Sequence, residues 1–393
     1  METSQHLLVL ISTMAMTVPL FAALCCLVQD SNQTLFRVLA AFFVAAAITE
    51  LPTALHFISF SPATVPLMDG LWALAMASVM PLIWLYVWIL TAEDDALPRR
   101  FLPHLLVPGG AILTLLAIAI YQVISEFRIF GLAEDRLTGA AQAINLSYWF
   151  LEYIAIRLQW GIYILLIYIR LVAYRSRLKD LFASTEKKEL RWITVVIGIG
   201  ASYWILSLIS SLLSYAMPGY GGLPTIVHYV LNLIVQTIVA VWGLRQRPGL
   251  QPESDVQPVS RQRYANSALT NEDADRIAAK LRKAMASDTL YLDPNLSLWA
   301  LARHTGVSEN YISQVLNEEV GQNFFDFVNG YRIEAAKTRL SESDETILAI
   351  ALEAGFNSRS SFYTAFKKVT GQTPTAYRKA ETGSERLSSN LSV

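Results

Sequence analysis

The feature that most constrains this chain is where its apolar residues lie: residues 6–243 form a succession of apolar blocks, whereas residues 245–393 have an ordinary soluble composition. A bilayer core about 30 Å thick takes about 20 apolar residues in helical form. Seven blocks reach that length, near 6–28, 35–58, 65–91, 102–121, 148–173, 192–215 and 223–243, with Pro52 interrupting the second. They raise the chain to 53% hydrophobic and 16% charged residues, unusual for a soluble protein. The first 244 residues are therefore expected to be a seven-helix transmembrane domain.

Orientation follows from the Lys/Arg bias of short loops. The connection at 92–101 carries Arg99 and Arg100, and that near 170–191 carries Arg170, Arg175, Arg177, Lys179, Lys187, Lys188 and Arg191. The opposite loops hold Arg128 and Arg136, offset by Glu126, Glu134 and Asp135. The expected topology is that of a multi-pass bacterial inner-membrane protein, with the amino terminus periplasmic and the carboxyl terminus cytoplasmic. The amino terminus lacks the basic region of a secretory signal, so the first block is expected to remain as a span. The only cysteines, Cys25 and Cys26, fall inside that block, with Leu24 before them, which argues against a disulfide framework, a thiolate metal site and a lipoprotein anchor.

Residues 245–271 are rich in Pro, Gln and Ser and lack apolar periodicity. As a flexible linker they would have a root-mean-square reach of about 28 Å and a limit of about 90 Å. From 272 to 380 the pattern becomes helical, and two similar units recur about 49 residues apart. The first runs Leu298-Trp-Ala-Leu-Ala302, His304-Thr-Gly306-Val-Ser308, then Glu309 to Asn317. The second runs Thr346 to Gly355, a turn ending near Ser358, then Arg359 to Thr370. Ala302 and Ala351 allow two helices to cross closely, Gly306 and Gly355 suit a positive φ, and Ser308 and Ser358 suit N-caps. This is the pattern of a helix-turn-helix, whose second helix enters the major groove.

The second helix of each unit has two faces. Ile312, Val315 and Leu316 form an inner stripe in the first, leaving Asn310, Ser313, Gln314 and Asn317 outward. In the second, Phe362, Phe366 and Val369 are expected inward, with Arg359, Ser360, Tyr363, Thr364, Lys367 and Lys368 outward. With Ser308 and Ser358 these outward residues are the candidate DNA contacts. Asn and Gln pair bidentately with adenine and Arg with guanine, while Lys367, Lys368, Arg378 and Lys379 suit phosphates. Phe324, Phe327, Val328, Tyr331, Ala335 and Leu340 recur at helical spacing, as in one long helix joining the units.

The runs Ala335-Ala-Lys-Thr-Arg-Leu340, Ile350-Ala-Leu-Glu-Ala-Gly-Phe356, Ser361-Phe-Tyr-Thr-Ala-Phe-Lys-Lys and Gly371-Gln-Thr-Pro-Thr-Ala-Tyr-Arg378 resemble the signature of the AraC/XylS regulators. The resemblance covers roughly residues 285–380 and implies binding of double-stranded operator DNA and promoter control. Two departures stand out. Gln314, Leu316 and Asn317 occupy a stretch where the family often carries Arg followed by Phe-Lys, and apolar spans replace the soluble sensor domain of most members. The layout resembles that of membrane-tethered members.

The complete expectation is an all-α protein: a seven-span transmembrane helical domain over 1–244, a linker over 245–271, a soluble double helix-turn-helix domain over 272–380 and a disordered tail over 381–393. Inside the spans Glu50, His56, Asp69, Glu152, Arg157, His228 and Asn232 fall in the outer half, as a ligand cavity would require; the alternative is that they bind one another as glue between helices. No Gly-rich phosphate loop, HExxH or nucleophile elbow occurs, so neither an enzyme nor a cofactor is expected, and the histidines lack accompanying ligands for a metal. Expected partners are DNA, the lipid bilayer, a second copy of the chain and a small-molecule or membrane stimulus. The rival reading is a membrane transporter or receptor whose helical tail binds a protein partner.

Overall fold

The structure is a computed structural model that describes the chain apart from residues 1, 31, 55–64, 93–97, 99–100, 128–133, 187, 218–224, 251–268 and 382–393. His56, the loop arginines Arg99, Arg100 and Arg128, most of the expected linker and nearly all of the expected tail lie outside the described residues. The fold is all-α: among the described residues there is no strand, only one isolated antiparallel bridge between Phe182 and Ser297. The chain divides into two compact units, Met1–Leu171 with Leu190–Gly249, and Val172–Glu189 with Leu250–Val393.

The first unit contains α1 (Glu2–Leu27), α2 (Gln33–Ala54), α3 (Val65–Leu90), α4 (Leu106–Phe127), α5 (Glu134–Phe150), the start of α6 (Ile156–Leu181), α7 (Arg191–Ala216) and α8 (Thr225–Gly243). Among the described residues, seven helical stretches are long and apolar enough to cross a membrane. The fifth differs from the block expected at 148–173. It is helical from Glu134 to Leu181, with α5 and α6 joined through a π-turn at Leu151–Ala155, because helix continues into flanks too polar for a hydropathy reading to include.

Small residues let these helices approach closely. Ala22 and Ala23 of α1, Ala45 to Ala47 of α2, and Ala73 and Ala77 of α3 are all buried, α1 to α4 pack in sequence, and α8 returns against α1. Leu113, Leu116 and Ile120 of α4, and Leu158, Ile162 and Leu165 of α6, point outward, an apolar exterior that water does not favour. Hydroxyls on these helices bond back along their own helix: Ser78 donates to the Leu74 carbonyl at 2.7 Å, Ser202 to Gly198 at 2.9 Å and Thr237 to Leu233 at 2.7 Å. Such bonds satisfy the hydroxyl within its own helix.

The second unit is built on α9 (Asn271–Ala286), α10 (Leu298–Thr305), α11 (Glu309–Val315), α12 (Phe324–Glu342), α13 (Ile347–Glu353) and α14 (Arg359–Thr370). Its helices start where a short polar side chain can take a free amide. Thr270, Ser297, Asn323, Thr346 and Ser358 accept from the backbone N–H of Asp273, Ala300, Asp326, Ala349 and Ser361. Ser308 occupies the N-cap position of α11 with extended backbone but forms no side-chain cap bond, unlike the role expected of it. One core gathers Leu281, Met285, Leu301, Ile312, Val315, Leu316 and Phe324; another gathers Ile333, Leu340, Ile350, Phe356, Phe362 and Phe366. The helix α12 contributes to both and so joins the two helix-turn-helix units.

Gly355 has φ +91°, and a Cβ there would lie 2.5 Å from the Tyr291 carbonyl oxygen. Both strain and collision exclude a side chain. Gly355→Ala is expected to destabilise the protein by about 1–3 kcal/mol. Gly330→Ala, inside α12 with nothing within 4 Å of the added carbon, is expected to stabilise it by about 0.5–1 kcal/mol. Thermal unfolding of the detergent-purified chain checks the opposite signs.

Candidate functional site

The two recognition-helix positions are α11 and α14, each entered from a turn whose glycine has positive φ: 67° at Gly306 and 91° at Gly355. In both units the short helix before the turn packs its alanine fully inside, Ala302 in α10 and Ala351 in α13. The buried stripes Ile312, Val315 and Leu316, and Phe362, Ala365 and Phe366, leave one face of each helix to solvent.

On the first face Asn310 and Asn317 are exposed, and Ser308, Ser313 and Gln314 are half-buried. Gln314 donates to the Glu318 carboxylate at 2.9 Å and Asn317 to the Ser313 carbonyl at 2.9 Å. Both amides are thus held against their own helix. The helix continues beyond Val315 as a π-turn over Leu316–Val320, placing Glu318 and Glu319 beside that face.

On the second face Arg359, Ser360, Thr364, Lys367 and Lys368 are exposed, and Ser358, Tyr363 and Arg378 are half-buried. The Arg359 guanidinium lies over the Tyr363 ring, 5.0 Å from its centre, and donates to the phenol oxygen at 3.0 Å. Thr375 shares a 3.0 Å hydrogen bond with the same oxygen, and these two partners lower the pKa of the phenol. Tyr363, Thr364, Lys367, Lys368 and Thr373 line a shallow cleft. Lys368 is not wholly available to a phosphate: its Nζ pairs with both Asp326 oxygens, at 2.6 and 2.7 Å. Lys367 stands on the same exposed turn.

Val369, expected on the inner stripe, is 49% exposed. It sits in the last turn before Gly371, and the Tyr377 ring, 5.4 Å from the Phe366 ring, covers the core there instead.

The residue that sequence reading missed is Arg332, in the middle of α12 and fully buried. Its Nε donates to the Tyr291 carbonyl at 2.7 Å and its Nη2 to the Asp293 carbonyl at 2.7 Å, both in the segment before α10. Its Nη1 donates to Asn329 Oδ1 at 3.2 Å, and the guanidinium lies 5.5 Å from the ring centre of Phe356, next to Gly355 in the second turn. Burial pushes its pKa down to about 10 against the pull of Asp293 and Glu186, so the group stays cationic at neutral pH. Asn357 adds a tie, donating to the Pro294 carbonyl at 3.0 Å. Arg332 therefore joins the first helix-turn-helix unit to the turn of the second.

A helix-turn-helix domain family matches residues 301–380. The C-terminal part of the chain is an AraC-type helix-turn-helix domain. This domain is similar to that of an uncharacterized HTH-type transcriptional regulator of Staphylococcus aureus (strain COL), 38% identical over 120 residues, which are 30% of this chain and 15% of that protein. It also resembles the melibiose operon regulatory protein of Escherichia coli (strain K12), 34% identical over 87 residues, 22% of this chain and 29% of that protein. The chain thus spans less than a third of the length of these relatives. Among solved structures, it is similar to a Listeria innocua protein of unknown function, with 31% identity over 26% of this chain and 95% of that one and a TM-score of 0.24. The C-terminal domain of the two-component response regulator yesN from Fusobacterium nucleatum also matches, at 27% identity, over 26% of this chain and 98% of that one, with a TM-score of 0.24.

In the first compact unit the described residues of the candidate cavity fall into two groups. Asn232 donates to Glu50, which is fully buried; Gln236 donates to Asn232 at 2.9 Å; and His228 shares a 2.6 Å hydrogen bond with Tyr203. Tyr203, His228, Asn232 and Gln236 are among the polar residues that line a mostly apolar cavity of about 160 Å3, bounded also by Trp160 and Trp192. Asp69, Glu152 and Arg157 form the other group, outside the cavity lining. Glu152, in the π-turn, hydrogen-bonds Tyr148 and lies within electrostatic reach of Asp69 and Arg157, while the Arg157 guanidinium stands 5.5 Å from the ring centre of Tyr153.

The changed place of Val369 has a direct check. Phe366→Ala, which empties a fully buried site, is expected to cost about 3–5 kcal/mol of stability. Val369→Ala is expected to stay within about 0.5 kcal/mol of the parent, as surface substitutions usually do. Denaturant midpoints of the two variants should therefore separate widely.

Proposed function

We propose that the chain is a membrane-anchored, sequence-specific regulator of transcription that reads double-stranded DNA with α11 and α14 and links promoter control to a stimulus at the inner membrane or periplasm. The observation that carries the reading is the pairing, among the described residues, of seven long apolar helices with an AraC-type domain whose two recognition helices each turn a polar face outward. The proposed organisation is a transmembrane part over 1–244, a linker over 245–271, a DNA-binding part over 272–380 and a free tail from 381. The Lys/Arg bias of the loops supports a periplasmic amino terminus and a cytoplasmic DNA-binding part.

The two faces have different chemistry. The second, with Arg359, Lys367 and Lys368, supplies charge for guanine and phosphate; the first, with Asn310, Ser313, Gln314 and Asn317, supplies neutral amides and hydroxyls beside two glutamates. Affinity should come mainly from the second unit, and the first should add selectivity at a smaller electrostatic gain. A homodimer on paired half-sites would raise the effective concentration of both units. The cavity lined by His228 and Asn232 is the proposed place of a stimulus, with Glu50 bonded to Asn232 and Asp69, Glu152 and Arg157 as a separate polar group.

The test is binding of the purified full chain in lipid nanodiscs to genomic fragments selected by pull-down, as a function of salt. Affinity should fall steeply with salt and favour particular fragments. Arg359→Ala is expected to cost about 1–3 kcal/mol on the preferred fragment and relax selectivity at one base position. Lys367→Ala should weaken all fragments alike and lower the salt slope by about one. Salt-independent binding without preference among fragments would contradict the reading and favour a protein partner.

A further inference from the structure

We propose that the loop following α6 is a docking segment that plugs into the AraC-type domain at Arg332 and makes DNA affinity depend on α6. The inference rests on the DNA-reading function proposed above. The helix α6 ends at Leu181, and the next residues form part of the same compact unit as the C-terminal domain. The backbone N–H of Ala183 donates to the Leu296 carbonyl at 3.1 Å, and Phe182 pairs with Ser297 in an antiparallel bridge immediately before α10. The carbonyl of Ala183 accepts from Asn329 Nδ2 at 3.2 Å and from Arg332 Nη1 at 3.3 Å, while Ser184 Oγ accepts from the same Nη1 at 3.2 Å. Ala183, 1% exposed, sits inside the core of the first helix-turn-helix unit, and the Phe182 ring meets Trp299 edge-on at 5.3 Å.

The other side of the loop is clamped to α6. Tyr174 donates its hydroxyl to the Lys188 carbonyl at 2.9 Å, and Arg175 Nε donates to the Glu189 carbonyl at 3.0 Å. Across the loop, Thr185 donates to the Glu189 carboxylate at 2.6 Å, the Lys188 N–H donates to the Thr185 carbonyl at 2.9 Å, and the Lys188 ammonium stands 4.0 Å from the Phe182 ring centre. The loop is thus braced against α6 while its leading edge fills hydrogen-bond positions on Arg332. A tether such as the expected 245–271 linker transmits position poorly, because a flexible coil leaves orientation free. A braced loop seated on the residue that joins the two reading units transmits it directly. None of the docking residues belongs to the outward faces of α11 or α14, so the docked loop leaves both free to read DNA. Withdrawal removes acceptors from a buried cation and loosens the hold of Arg332 on the units.

The experiment uses the intact chain in native membranes, with Cys25→Ser and Cys26→Ser to clear other thiols. The Ala183-to-Leu296 hydrogen bond makes Phe182 and Ser297 a non-hydrogen-bonded antiparallel pair, whose Cα atoms lie about 4.5 Å apart, within disulfide range. Phe182→Cys with Ser297→Cys should close a disulfide on mild oxidation, and either cysteine alone should close none. An open pair under these conditions overturns the docking, whatever the chain does with DNA. Affinity for fragments bound by the wild type is then compared. Ala183→Glu, which forces a carboxylate into the buried seat, should bind about 5- to 150-fold more weakly, the usual range of coupling between sites. Ser184→Ala should weaken binding less, in the same direction. The double-cysteine protein should bind weakly when reduced and near wild-type strength when oxidised. Equal affinity of Ser184→Ala, reduced and oxidised proteins with the wild type overturns the coupling, even should Ala183→Glu fail to accumulate. Loss of DNA binding in the wild type itself would instead sink the regulator reading, leaving the disulfide to decide the docking.

Discussion

The arrangement of the C-terminal half depends on the satisfaction of one buried cation. A guanidinium taken out of water is costly unless its five N–H groups find acceptors. Arg332 finds them on the Tyr291 and Asp293 carbonyls, the Asn329 side chain and the Ala183–Ser184 segment, pieces of chain separated by up to 149 residues. The acceptors come from the segment before α10, the loop after α6 and α12 itself, so satisfying the cation fixes these stretches together, and the Phe356 ring brings the turn before α14 against the same guanidinium. Gly355 completes the arrangement by leaving room for the Tyr291 carbonyl where any side chain would collide.

The first half is built by different rules, in keeping with the lipid environment proposed for it. Its helices carry hydroxyls that bond back along the helix, alanines where helices meet, and large apolar side chains outside. Polar side chains are gathered in pairs: Glu50 with Asn232, His228 with Tyr203, Glu152 with Tyr148. Each pairing reduces the penalty of an ionisable or polar group away from water. His228, Asn232 and Tyr203 also line a small, mostly apolar cavity, in keeping with the proposed sensory role of this half.

Much of this was legible in the sequence because the governing rules are local. Length and hydropathy pick out the apolar helices, the glycines at 306 and 355 mark the two turns, and Ser358 marks the start of α14. What escaped depended on distant segments. Arg332 reads as an ordinary solvated charge on a helix, since its acceptors are backbone carbonyls with no sequence signature. Val369 has the correct spacing for the inner stripe, yet Tyr377 arrives from beyond the helix and takes its place. The join of α5 to α6 was hidden because Glu134 and its neighbours are too polar to extend an apolar block, although nothing in them breaks a helix.

The two halves and the loop after α6 fit together if the chain, held in a membrane as proposed, presents two recognition helices in a fixed relation. Footprinting of the intact protein on its preferred DNA tests that claim most directly. The account predicts two protected major-groove segments per chain, on the same face of the duplex and one helical turn, about 34 Å, apart. A single protected segment, or two whose spacing varies from site to site, would contradict it.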